Sequence, residues 1–233
     1  MSTSKVVTQS KEMPAIAEIL GGILRFFPNT MVVTLFFVGM MTGRIPWILT
    51  AVGGLLMIVI TMFAQVLLSW VLGAEMGNYD FTPGEVAAES CSLTPTLLQE
   101  NYTTLPSLWI ASSSFYASFI FMNAFNIYKQ APANNVSKDK MAVQQRKGMG
   151  LISMVTAALL FFFLLVPRFL TRCESVIGTI IGLALGIGWG FGWWTILNFC
   201  GANVFPDIHG VMIGLTPRSL RANPYALVPH PPE

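Results

Sequence analysis

Between Glu174 and Cys200 the chain reads ESVIGTIIGLALGIGWGFGWWTILNFC, 27 residues with no charge after Glu174. Within it Gly178, Gly182, Gly186 and Gly190 recur every fourth residue. On a helix turning about 100° per residue these four form one gently drifting ridge. Ala184, Gly188 and Gly192 make a second small-residue row beside it. In water this much glycine argues against a helix, at about 1 kcal/mol each relative to alanine. In hydrocarbon the backbone must satisfy its own hydrogen bonds, so the helix persists and the glycines become a bare track for another helix. The stretch therefore reads as a helix-packing element inside a membrane. The track can meet the chain's own spans or a neighbouring protein, and the internal reading is the simpler one because it needs no partner.

Composition supports the membrane setting. Hydrophobic residues make up 54% of the chain and charged ones 10%, against about 25% charged in soluble domains. A net charge of +2 is too small to suggest a nucleic-acid binder. The first 25 residues lack a basic segment followed by a long apolar core, so no cleavable signal peptide is expected.

The order of segments follows from the apolar runs. After a polar start, Ile16, Ile19, Leu20, Ile23 and Phe27 follow the spacing of an amphipathic helix. Glu12, Glu18 and Arg25 keep residues 1–25 from spanning, so an interfacial helix is expected, with a helix packed on a partner as the alternative. Residues 26–72 read as a transmembrane hairpin. Its first arm, 26–41, is short and weakened by Pro28 and Asn29, so it either spans or is re-entrant. Gly43-Arg44-Ile45-Pro46 turns the chain into the second arm, 46–72. Residues 73–104 carry Glu75, Asp80, Glu85, Glu89 and Glu100 with no lysine or arginine. A three-span bundle, 105–200, follows, with spans at 105–128, 149–170 and 174–200. Its loop 129–148 holds Lys129, Lys138, Lys140, Arg146 and Lys147 against a single Asp139. Six prolines make the tail 201–233 irregular. The expected fold is an all-α polytopic transmembrane helix bundle of about five spans, or four if the first is re-entrant.

Basic loops stay on the cytoplasmic side. That rule puts 129–148, Arg44, Arg218 and Arg221 inside and the acidic loop outside. Cys91 and Cys173 then share the outer side, where they either pair in an oxidising lumen or stay as free thiols. Cys200 lies across the membrane from them. Asn101-Tyr102-Thr103 is a glycosylation sequon on the outer loop, whereas Asn135-Val136-Ser137 falls inside.

No catalytic constellation stands out, and we expect no enzyme and no cofactor. The regular glycine spacing lacks the Lys-Ser/Thr ending of a phosphate loop. Cys200, Asp207 and His209 are competent metal ligands, but their spacing matches no familiar site and a fourth ligand is missing. No metal is expected there. Within the spans the polar residues are Gln65, Ser112-Ser113-Ser114, Asn123 and Asn126. With no ionisable group deep in any span, ion-coupled transport is disfavoured. The serines and Asn123 read as hydrogen bonds between helices, at about 0.6 kcal/mol apiece. Trp47, Trp70, Trp109 and Tyr128 sit near span ends, where amphipathic rings anchor at the headgroups. Trp189, Trp193 and Trp194 alternate with glycines, which reads as knob-and-groove packing rather than a ligand cage.

Three stretches, LPSLWIASSSFYASFIFMNAFNIY, RCESVIGTIIGLALGIGWGFGWW and CGANVFPDIHGVMIGL, resemble multi-spanning membrane proteins of large nucleocytoplasmic DNA viruses of algae and protists. The resemblance covers roughly residues 105–222 and brings no catalytic motif. It implies a protein of the membrane beneath an icosahedral capsid. The expected function is a non-enzymatic structural membrane protein that packs through its glycine-ridged helix and meets neighbours with its loops and tail. Its partners would be membrane lipid and other membrane or capsid proteins, including further copies of itself, with no nucleic acid. The alternative is a small channel or transporter-like subunit, with the polar face of residues 105–128 as its wall.

Overall fold

The computed structural model describes residues 15–72, 105–129, 140–170, 174, 176–201 and 204–210. Cys91, Cys173, the acidic loop 73–104, both sequons and the tail beyond residue 210 lie outside these residues. The described residues are all-helical, with five helices and no strand. They are α1 (Ala15–Thr42), α2 (Ile45–Leu72), α3 (Leu108–Lys129), α4 (Lys140–Leu170) and α5 (Val176–Gly201).

Two boundaries differ from the expectation. The interfacial helix and the first arm are one continuous helix, α1, with Pro28 inside it. A proline removes one backbone donor and crowds the preceding turn. Here its ring is among the fully buried side chains, so the helix continues through it against the bundle. Helix α4 starts at Lys140 rather than Met149 and takes up half of the basic loop, Arg146 included. Four helices are long and apolar enough to cross a membrane: Ile45–Leu68, Leu108–Lys129, Val143–Val166 and Val176–Gly201. The apolar part of α1, Phe26–Thr42, is shorter. The bundle thus has four candidate spans among the described residues, the lower of the two expected numbers.

The α1–α2 turn shows why the hairpin is tight. Gly43 has a φ of 65°, the left-handed conformation that commonly ends a helix. Its N–H reaches the Met40 carbonyl at 3.4 Å and the Arg44 N–H reaches the Gly39 carbonyl at 3.0 Å. These two bonds consume carbonyls that the helix end leaves open. Gly39 then lets α2 pass close by, because a Cβ there would sit 3.0 Å from the Ile48 nitrogen and 3.2 Å from the Trp47 Cβ.

Helix α3 is the centre of the bundle. Trp109, Phe115, Tyr116 and Phe119 are fully buried on it, and it packs against every other helix. It runs parallel to α5, since Gly182 meets Ser107 and Ala111, Gly186 meets Ala111 and Ser114, and Gly190 meets Phe115 and Ser118. Helix α4 returns antiparallel along α3, with Gly150 beside Ala124 and Tyr128 at one end and Arg168 over Trp109 at the other. Trp109 is therefore a core residue, 1% exposed, and not an interfacial anchor. Trp70, 85% exposed, has the position expected of one.

Arg168 and Glu174 close the α4–α5 turn. The Arg168 Nη2 lies 2.6 Å and its Nε 3.1 Å from the Glu174 Oε1. Both side chains are buried, and the guanidinium carbon is 5.0 Å from the Trp109 ring centroid. Removing one member of a buried pair leaves a bare charge and costs about 3–5 kcal/mol, whereas replacing both with apolar groups of similar size is often neutral. We predict that Arg168→Met and Glu174→Leu each destabilise the bundle by that amount, and that the double variant recovers most of the loss. Unfolding of the purified protein by titration with a denaturing detergent measures the cycle.

Candidate functional site

The glycine ridge is spent inside the molecule. Gly178, Gly182, Gly186 and Gly190 are all buried along α5, and α3 fills the track they leave. A Cβ on Gly182 would lie 3.0 Å from the Ser107 carbonyl oxygen and 3.4 Å from the Ala111 nitrogen. One on Gly186 would strike the Ser114 hydroxyl and the Ala111 carbonyl, and one on Gly190 would strike the Ser118 hydroxyl. The Ser107 N–H donates to the Gly178 carbonyl at 3.2 Å, a backbone bond between the two segments. The Ser118 hydroxyl donates to the Phe115 carbonyl on its own helix at 3.0 Å and lies 3.5 Å from the Gly186 carbonyl across the seam. Small residues on both helices thus bring two backbones together, which is how helices associate when lipid removes the hydrophobic drive.

The second small-residue row has a different fate. Ala184 and Gly188 are exposed and Gly192 is half-buried. Nothing lies within 4 Å of a Cβ built on Gly188 or Gly192. The row that the spacing offered as a second packing track is open on the outside of the bundle. Two parallel rows of small residues look alike in a sequence, and only the position of α3 separates them.

On the flank of α5 the tryptophans bind α2. The Trp189 Nε1–H donates to the Gly53 carbonyl and the Trp193 Nε1–H to the Leu49 carbonyl, each at 3.0 Å. Their rings stack, with centroids 5.6 Å apart. Gly53 and Gly54 make this approach possible: a Cβ on the first would strike the Trp193 ring, and one on the second the Tyr116 hydroxyl. Neither glycine stands out from sequence periodicity. Their signal is the Gly-Gly pair itself in the middle of an apolar helix, where glycine needs a packing reason.

The end of the bundle near Lys129 is closed by the turn 204–210, which follows α5. Asn123 on α3 holds it: its Nδ2–H donates to the Pro206 carbonyl, and its Oδ1 lies 2.7 Å from the His209 Nδ1. The Trp47 Nε1–H donates to the Ile208 carbonyl at 2.8 Å. Asp207 is buried, and its Oδ1 accepts the Gly210 N–H at 3.1 Å. Asn123 does bond between segments, as expected. The serines differ. Ser114 donates to the Ala111 carbonyl of its own helix, and Ser112 and Ser113 are buried with no hydrogen-bond partner for their hydroxyls. Gln65 reaches across to the Pro106 carbonyl at 2.9 Å.

Cys200 is exposed, while Asp207 and His209 are engaged in the turn. Among the described residues no group of three His, Cys, Asp or Glu side chains could hold a metal ion. No family model, curated protein or solved structure matches this chain.

The two rows of α5 give a paired prediction. Gly186→Leu must push Ser114 and the Ala111 carbonyl apart and should destabilise the bundle by about 3 kcal/mol or more, the upper end of overpacking costs. Gly188→Leu adds the same atoms into open space and should leave the unfolding midpoint within about 0.5 kcal/mol of the parent. Detergent-denaturation midpoints of the two variants, measured side by side, check the contrast.

Proposed function

We propose that the chain is a non-enzymatic structural protein of a membrane, one that associates laterally with neighbouring proteins through the open face of α5. The observation that carries the reading is the unequal fate of the two small-residue rows. Helix α3 consumes the first, and the second, Ala184, Gly188 and Gly192, is left bare beside exposed Ile180, Ile187 and Phe191. Small residues at this spacing on a lipid-facing surface allow a second helix to approach to backbone distance. The polar groups of the interior support the same reading. Asn123, Gln65, Trp189 and Trp193 are committed to bonds that hold the bundle together.

The membrane beneath an icosahedral capsid is the setting we propose, and the three stretches named above are its support. Membrane lipid and capsid-associated or membrane proteins would be the neighbours. The competing reading, a small channel, needs the polar residues of α3 to face an aqueous path, yet Ser112, Ser113 and Ser114 are each 2% exposed or less. Flux through liposomes carrying the purified protein, lost on Ser113→Leu, would favour the channel.

The lateral reading makes a sharper demand. The double variant Ala184→Leu/Gly188→Leu should keep the fold of the parent and lose association with neighbouring proteins, read as cross-linked species in native membranes. Unchanged cross-linking in a folded double variant would sink the reading.

A further inference from the structure

We propose that the turn 204–210 is a releasable cap, docked on the basic-loop end of the bundle at neutral pH and freed by acid, with His209 as the trigger. The geometry assigns the proton first. Asn123 donates through Nδ2 to the Pro206 carbonyl, so the oxygen of its amide faces His209 at 2.7 Å. An amide oxygen only accepts. The proton between them therefore belongs to the His209 Nδ1, and a second proton can enter only at Nε2. That proton brings a full charge to a half-buried ring on a turn whose Ile208 and Phe205 pack against Phe119, Trp194 and Leu197.

Few groups are placed to welcome the charge. From α3 the contact to the ring is the neutral Asn123, and from the start of α2 the contact to the turn is the neutral indole of Trp47. From the α1–α2 turn comes a cation, Arg44, whose Nη1 would lie 2.7 Å from a Cβ on Gly210. The turn also holds a buried carboxylate, Asp207, whose Oδ1 accepts the Gly210 N–H. Burial accordingly holds the His209 pKa below its ordinary value of 6.5.

The sign follows from linkage. Above the ordinary histidine range the ring is neutral whether the turn is docked or free, and docking is at full strength. As pH falls through about 6.5 and on toward the lowered value, the free turn takes up a proton that the docked turn resists. Docking weakens over that window by at most about tenfold per pH unit, the limit for one proton. The turn follows Gly201 at the end of α5, and a cavity of about 260 Å³ separates its Val204–Asp207 flank from Arg44 and Pro46.

The test uses the full chain in lipid nanodiscs. Amide exchange of Ile208 and Gly210, corrected for the intrinsic pH dependence of exchange, is followed from about pH 7.5 to about pH 5 alongside the imidazole signals of the two histidines. The expected result is a rise in exchange as pH falls, bounded by about tenfold per pH unit, in step with a His209 titration displaced below the ordinary value of about 6.5. In His209→Gln, which keeps a donor for Asn123 without a titrating ring, the rise should disappear. Constant protection in the parent, a His209 titration at the ordinary value, or the same acid transition in His209→Gln would each overturn the proposal. If the Gln variant is undocked at neutral pH, the parent decides alone: ring titration and amide protection must move together.

Discussion

The structure depends on one contact, the close parallel approach of α3 and α5 along Gly182, Gly186 and Gly190. In lipid the tails are as apolar as leucine, so burying a leucine side chain brings helices together only weakly. What remains is dispersion between well-fitted surfaces and the hydrogen bonds that short distances permit. The absence of three Cβ atoms lets the Ser107, Ala111 and Phe115 carbonyls and the Ser114 and Ser118 side chains reach the α5 backbone. Helices α2 and α4 pack on this pair, and α1 packs chiefly on α2. Helix α4 must cross back to join two parallel neighbours, and α2 is held to α5 by two indoles whose acceptors are the Gly53 and Leu49 carbonyls.

The polar residues are distributed by the same logic. In the middle of the bundle they are small hydroxyls, which can turn inward to a carbonyl one turn back, as Ser114 and Ser118 do. At the ends they are larger and bond over longer sequence distances. Gln65 meets Pro106 and the Arg168–Glu174 pair closes the α4–α5 turn at one end, and Asn123, His209 and Trp47 secure the 204–210 turn at the other. The two ends differ in chemistry: one is fixed by a buried ion pair, the other by neutral groups, one titratable ring and the buried carboxylate of Asp207.

Much of this architecture is legible in the residues. Long uncharged runs imply helices, Gly43 before Arg44 implies the hairpin, and a four-residue glycine repeat implies a close approach. Other features are invisible for physical reasons. Ala184, Gly188 and Gly192 carry the same spacing as the buried row, because periodicity defines faces of a helix but not what stands opposite them. Trp109 has the position of an interfacial anchor, yet it is buried in the bundle with the Arg168 guanidinium above its ring. Pro28 looks like a helix break, yet a buried ring in a helix packed on α2 is tolerated. Asn123 and His209 are 86 residues apart, and no local pattern announces a bond of that kind.

The parallel arrangement of α3 and α5 also bears on how the chain enters a membrane during synthesis. Helix α3 is the least lipid-like of the four candidate spans, with four serines and two asparagines, and it emerges before α5 exists. Until α4 has crossed back and α5 has followed, its groove of small residues faces either α2 or the insertion machinery. The hairpin of α1 and α2, already made, offers Gly53 and Gly54 as the earliest shelter for Phe115 and Tyr116. The order of synthesis thus makes the contact with α2, which the finished fold keeps, available before the seam with α5.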